Sequence, residues 1–127
     1  MSKWAYTLAG FAALSGAAGV TEDAAAAHAI ADPLLKLSGD FLIVNAAAVI
    51  AIGALALAGR HRWLLLGATI LLAGSFLFCG EISAHVFLGR KFVPLAAPIG
   101  GALMIVGWLT AAAAAFAYMF RQTNRSG

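Results

Sequence analysis

Apolar positions run through the chain in four long stretches, and clusters of polar residues mark where each one ends. The first extends from about Trp4 to Val20 and is closed by Thr21-Glu22-Asp23. The second extends from about Phe41 to Ala58, between Asp40 and the cluster Gly59-Arg60-His61-Arg62. The third runs from Trp63 to about Leu88 and stops at Arg90-Lys91. The fourth runs from about Val93 to Phe120, ahead of the polar tail that starts at Arg121. About 20 apolar residues cross the hydrocarbon core of a bilayer. Within that core every backbone donor and acceptor must be paired inside the segment, so stretches of this length are helices rather than strands. The pattern predicts an all-α fold: an integral membrane four-helix bundle, antiparallel, with spans at about 4–20, 41–58, 63–88 and 93–120 in one transmembrane domain. Lys3 followed by an apolar run also describes a secretory signal peptide; the first stretch is read here as a true span.

The only long connection covers residues 21–40. Thr21-Glu22-Asp23 followed by Ala24 to Ile30 suits a capped helical turn or two, with Thr21 accepting from free N–H groups and the acids at the positive end of the dipole. Pro33 would then break it, which predicts a short interfacial or re-entrant helix between the first two spans. The other connections are short enough to make their helices antiparallel neighbours.

Composition agrees with a lipid environment, since 63% of the 127 residues are apolar and only 10% are charged. A soluble domain carries roughly 25% charged residues. The net charge of +3 comes from basic residues scattered singly or in twos between apolar runs. A nucleic-acid groove binder concentrates them instead, so nucleic acid is discounted as a partner. A single cysteine excludes a disulfide framework and a multi-thiolate metal site. Lysine and arginine are retained on the cytoplasmic side of a membrane. The side with the termini holds Lys3, Arg60, Arg62, Arg121 and Arg125; the other holds Lys36, Arg90 and Lys91 together with Glu22, Asp23, Asp32 and Asp40. Both termini are therefore expected in the cytoplasm, for a multi-pass protein of a bacterial inner (plasma) membrane.

Helices in lipid associate through close backbone approach at small residues and through a few interhelical hydrogen bonds. Gly10, Ser15, Gly16 and Gly19 mark the first helix, Ala46 to Ala48 and Gly53 the second, Gly67, Gly74 and Gly80 the third, and Gly100, Gly101 and Gly107 the fourth. Pro94 and Pro98 are either accommodated in the first turns of the fourth helix or kink it before Gly100-Gly101. Trp4, Tyr6, Trp63 and Tyr118 suit an interfacial aromatic belt, whereas Trp108 falls mid-span and is expected to pack inside.

One acid falls inside a span. A charge there costs about 2.5 to 3.5 kcal/mol on insertion scales, which makes Glu81 a functional candidate. His85 follows one turn later on the same face. With about 1.5 Å of rise per residue, Glu81, His85, Asn45 and Asp40 fall at one end of the bundle and at similar depth. Ser75, Cys79 and Ser83 line the same helix. Four readings stay open for Glu81 and His85: a structural hydrogen bond, proton or ion handling, contact with a quinone or lipid headgroup, and a metal site completed by Asp40 or His28. The structural reading carries most weight, and no metal and no cofactor are expected. His28 is read as exposed or interfacial, His61 as part of a solvated turn and Cys79 as a small apolar residue. A phosphate-binding glycine loop, a nucleophile elbow and a His-Glu-x-x-His motif are all absent from the sequence.

Pro98-Ile99-Gly100-Gly101 followed by Gly107-Trp108 resembles the fourth-helix signature of small bacterial inner-membrane proteins of the YgdD type, a family of unknown function whose animal relatives are named transmembrane protein 256. Phe78-Cys79-Gly80 resembles that family's Phe-Ser-Gly segment, and Ser15-Gly16 and Ala27-His28-Ala29 are similar to its N-terminal half. The resemblance covers nearly the whole chain and implies four transmembrane helices without implying an activity. The chain departs from the family where members show Tyr-Gln and a histidine in the second helix, which here are Phe41-Leu42 and Asn45, and where members have a serine in the third helix, which here is Glu81. The resulting expectation is a non-enzymatic structural or accessory component whose partners are the bilayer and a homo-oligomer or a larger membrane complex. The alternative is a small proton- or ion-linked transporter using Glu81 and His85 at the outer end.

Overall fold

The computed structural model describes residues 1–89 and 95–126. Among these the elements are four helices: α1 (Ser2–His28), α2 (Pro33–Gly59), α3 (Arg62–Leu88) and α4 (Ala96–Ser126). Three of them, α2, α3 and the Ala96–Arg125 part of α4, are long and apolar enough to cross a membrane. α1 has 27 residues, as α2 and α3 do. It is not among those three, because Lys3, Thr7, Ser15, Thr21, Glu22 and Asp23 dilute its apolar character.

The expected short helix between the first two spans is not a separate element. Thr21 caps nothing; its hydroxyl donates to the Ala17 carbonyl at 2.9 Å, and α1 continues through the two acids to His28. Pro33 opens α2 instead of breaking a helix before it. Asp32 is the N-cap, its carboxylate accepting from the Leu34 N–H at 2.9 Å, and a proline in the first turn has no missing donor to regret. At its other end α2 closes on Arg60 in the left-handed conformation (φ 53°), whose N–H reaches the Ala56 and Leu57 carbonyls. Arg60 and His61 alone connect α2 to α3. Arg90, Lys91 and Pro94 lie outside the described residues, and Pro98 falls in the first turn of α4.

α1 packs on α2, α2 on α3 and α3 on α4, with a narrower contact between α1 and α3. The buried positions of α1 are Ala5, Leu8, Ala12, Ser15, Gly19 and Glu22, alternating three and four residues apart, so they form one stripe. α3 is the central helix, and its Leu65, Ala68 and Leu71 are fully buried. α3 and α4 meet backbone to backbone. A Cβ on Gly74 would stand 2.6 Å from the Met104 nitrogen, one on Gly107 2.6 Å from the Leu71 nitrogen, one on Gly100 2.8 Å from the Gly74 oxygen, and one on Gly67 2.9 Å from the Ala111 nitrogen. Only glycine admits that approach. Gly101 and Gly80 are not part of this seam, since a Cβ there would meet one side-chain atom at 3.9 Å and nothing within 4 Å, respectively. Outward faces carry large apolar side chains along the helices, among them Phe11, Val44, Leu55, Phe87, Ile105 and Phe116.

Candidate functional site

α1 and α3 run parallel and level, because each is antiparallel to α2. At one end the Trp4 indole N–H donates to the Thr69 hydroxyl at 2.8 Å; at the other, the Ser83 hydroxyl meets Glu22 Oε1. What brings Glu22 there is a close crossing of α1 and α2. A Cβ on Gly19 would stand 2.8 Å from the Gly39 oxygen, and one on Gly39 2.8 Å from the Gly19 oxygen. The last turns of α1 therefore lie against the first turns of α2, and the buried stripe of α1 ends on the α3 face.

A small polar junction results. Glu22 is 7% exposed. Ser83 Oγ faces the Cys79 carbonyl at 2.7 Å as well as Glu22 Oε1, so one hydroxyl proton stands before two acceptors. Cys79 and Ser38 exchange bonds across α2 and α3, Ser38 Oγ donating to the Cys79 carbonyl at 3.4 Å and Cys79 Sγ to the Ser38 carbonyl at 3.5 Å. Glu22 Oε2 and the hydroxyls of Ser15 and Ser75 are buried without a hydrogen-bond partner among the described residues. Buried polar atoms are seldom left so. At the mouth of the junction, Lys36 Nζ pairs with Asp40 at 3.1 and 3.2 Å, both side chains well exposed. Asp23 packs on Gly39. Its carboxyl lies above the usual value of 3.8, first because burial disfavours its charge, then because of the hydrogen bond and charge of Asp40 and the charge of Glu22; Lys36 opposes these.

Of the four residues singled out from the sequence, Asn45 and Asp40 are engaged with other groups. Asn45 is 2% exposed and its Nδ2 donates to Met104 Sδ at 3.0 Å, joining α2 to α4. Asp40 faces outward on Lys36, Glu81 is half-buried, and His85 is exposed. Cys79 is packed inside at 1% exposure, and His28 is exposed.

Two other expectations are corrected. His61 is buried, its ring edge-on to Tyr118 with centroids 5.5 Å apart, because the two-residue connection folds it under the end of α4. Trp108 is 45% exposed rather than packed inside, while Trp4 is drawn inward by Thr69. Among the described residues no group of three or more His, Cys, Asp or Glu side chains could hold a metal ion.

Glu22 is the buried acid of this junction that the sequence did not single out as a candidate. Its signal was the spacing Ser15, Gly19, Glu22, which continues the stripe begun at Ala5.

The model of a family described as a protein of unknown function (DUF423) matches residues 22–101. That segment begins at Glu22 and ends at Gly101, and so contains the polar junction apart from Ser15 and the first turns of α4, but not Gly107 or Trp108. No curated protein and no solved structure matches the chain.

Proposed function

The chain belongs to the DUF423 family of proteins of unknown function, and we propose that it is a multi-pass component of a bacterial inner membrane with a structural or accessory role. Four crossings are proposed, residues 4–20 supplying the first. A 27-residue helix is about 40 Å long, longer than the roughly 30 Å hydrocarbon core, and a helix packed level with α3 sits at the same depth as α3. Both termini are placed in the cytoplasm, with Lys3, Arg60, Arg62, Arg121 and Arg125 at that end. The bilayer is the first partner, and further copies or other subunits of a membrane complex are the second.

The accessory role rests on one observation: the buried polar side chains join helices. Trp4 to Thr69 and Ser83 to Glu22 tie α1 to α3, Ser38 and Cys79 tie α2 to α3, and Asn45 ties α4 to α2. Such bonds act as glue between helices in lipid. The test combines alkaline extraction of membranes with reporter fusions at the C-terminus. The chain should resist extraction, and a reporter active only in the cytoplasm should be active; release into the soluble fraction would end the membrane reading.

A second reading, proton- or ion-linked transport through Glu81 and His85, gains a further acid in Glu22. Glu22 is buried, its Oε1 meets Ser83, and its Oε2 has no hydrogen-bond partner among the described residues. Flux into proteoliposomes that disappears in Glu22→Gln while the fold is retained would select this reading over the accessory one.

A further inference from the structure

We propose that the groove between α3 and α4, at the end of the bundle that carries the chain termini, binds an anionic phospholipid, with its phosphate at Arg121 and an acyl chain along α4. The proposal rests on the membrane reading above.

The groove has a volume of about 360 Å³, and its α4 wall is Thr110, Ala113, Ala114, Ala117 and Arg121. These positions share one face of the helix. From Thr110 to Arg121 the helix rises about 16 Å, close to half of a roughly 30 Å hydrocarbon core. The floor is therefore one leaflet deep, made of small side chains that leave room for a chain. The exposed indole of Trp63 stands beside it where interfacial aromatics sit.

Charge identifies the headgroup. The chain has five acidic side chains, Glu22, Asp23, Asp32, Asp40 and Glu81, and none belongs to the end where Arg60, Arg62, Arg121 and Arg125 lie. The ion pair formed among the described residues, Lys36 with Asp40, is at the opposite end. Among the described residues Arg121 thus meets no side-chain carboxylate, and a lipid phosphate, which suits a guanidinium fork, is its complement.

His61 supplies the second, independent sign of a ligand. It lines the same groove, is 7% exposed, and has neither ring nitrogen hydrogen-bonded among the described residues. Phosphate or glycerol oxygens would accept from its N–H. A neighbouring groove of about 350 Å³, bordered by His61, Ala58, Gly59, Leu64 and Tyr118 among others, has no cation in its wall. That difference favours the Arg121 groove.

The test uses the full chain purified in neutral detergent and native mass spectrometry, with phosphatidylglycerol, phosphatidylcholine and inorganic phosphate as probes. Phosphatidylglycerol should bind about five- to tenfold more tightly than phosphatidylcholine. That preference should vanish in Arg121→Gln and persist in Arg125→Gln. Ala117→Leu, an exposed position that fills the floor, should weaken both lipids. Equal binding of the two lipids by the wild type, or a preference unchanged in Arg121→Gln, would overturn the proposal. Inorganic phosphate displacing the lipid headgroup with no effect of Ala117→Leu would also overturn it, by assigning the site to a free anion. A chain that stays monodisperse without detergent would instead overturn the membrane reading, so the two failures are distinguishable.

Discussion

Replacing Gly107 by alanine sets two effects of opposite sign against each other. Alanine is favoured over glycine in a helix interior by about 1 kcal/mol, so propensity alone stabilises the variant. Packing acts the other way. The new Cβ would stand 2.6 Å from the nitrogen, 2.7 Å from the Cα and 2.8 Å from the Cβ of Leu71, where ordinary contact begins at 3.4 Å. The helices must therefore part by about 0.8 Å, and the atoms in the way are the backbone of a fully buried turn rather than the end of a movable side chain. Overpacking of this kind costs about 1 to 3 kcal/mol. Parting the seam also loosens the contacts at Gly67, Gly74 and Gly100, since a gap of 0.5 to 1 Å forfeits roughly a quarter to a half of each dispersion well. The net expectation is a loss of about 1 to 2 kcal/mol. Gly10→Ala is the control, because nothing lies within 4 Å of its Cβ position and propensity acts alone. Thermal unfolding in detergent, followed by circular dichroism, should show Gly107→Ala melting several degrees below the wild type and Gly10→Ala at or above it. If Gly107→Ala melts no lower than Gly10→Ala, the backbone seam between α3 and α4 is not what holds them.

At the polar junction, Glu22→Gln keeps an acceptor for Ser83 and should melt within about 1 kcal/mol of the wild type. Glu22→Ala, which leaves a void among buried polar atoms, should lose about 1 to 3 kcal/mol by the same melt. Cys79, at 1% exposure, should resist a membrane-permeant maleimide in the folded protein and react on denaturation; rapid labelling of folded protein would contradict its burial. Asp23, beyond the 4–20 span, gives a pH dependence whose sign follows from its raised folded-state value. Its contribution is complete below the ordinary 3.8 and is lost as pH rises through the raised value. The melting temperature of the wild type relative to Asp23→Asn should therefore fall from acid towards neutral pH, and a rise would show that Asp23 is held as a charged partner.

The extent of each helix was legible where it depended on apolar composition, and less so where it depended on packing. The stretches from 41 to 58 and from 63 to 88 lie inside α2 and α3, because a lipid-facing helix must be apolar around its circumference. The end of α1 was misread because Thr21-Glu22-Asp23 is also a helix-start signal. What decides between a new helix and a continued one is whether the acid has a partner, and that partner, Ser83, is 61 residues away. The seam positions Gly67, Gly74, Gly100 and Gly107 could be read from their spacing, whereas Gly80 and Gly101 share the composition and not the face. Asn45 falls at the depth expected of it, but its partner Met104 on α4 is something depth along a sequence cannot supply.

α1 shows why hydropathy and membrane crossing are separate questions. A helix that inserts alone needs an apolar surface on every side, whereas one that docks on partners already in place can bury a polar stripe against them. The α1 stripe ends in Ser15, Gly19 and Glu22, the first two small enough for α2 to approach and the third bonded to α3. Its outward face carries Tyr6, Phe11, Leu14 and Val20. Part of the polarity that keeps α1 from standing out as a span, Ser15 and Glu22, is thus turned inward. Two of the residues that lower its hydropathy therefore lie against its neighbours, so the place of α1 depends on α2 and α3 being there to receive it.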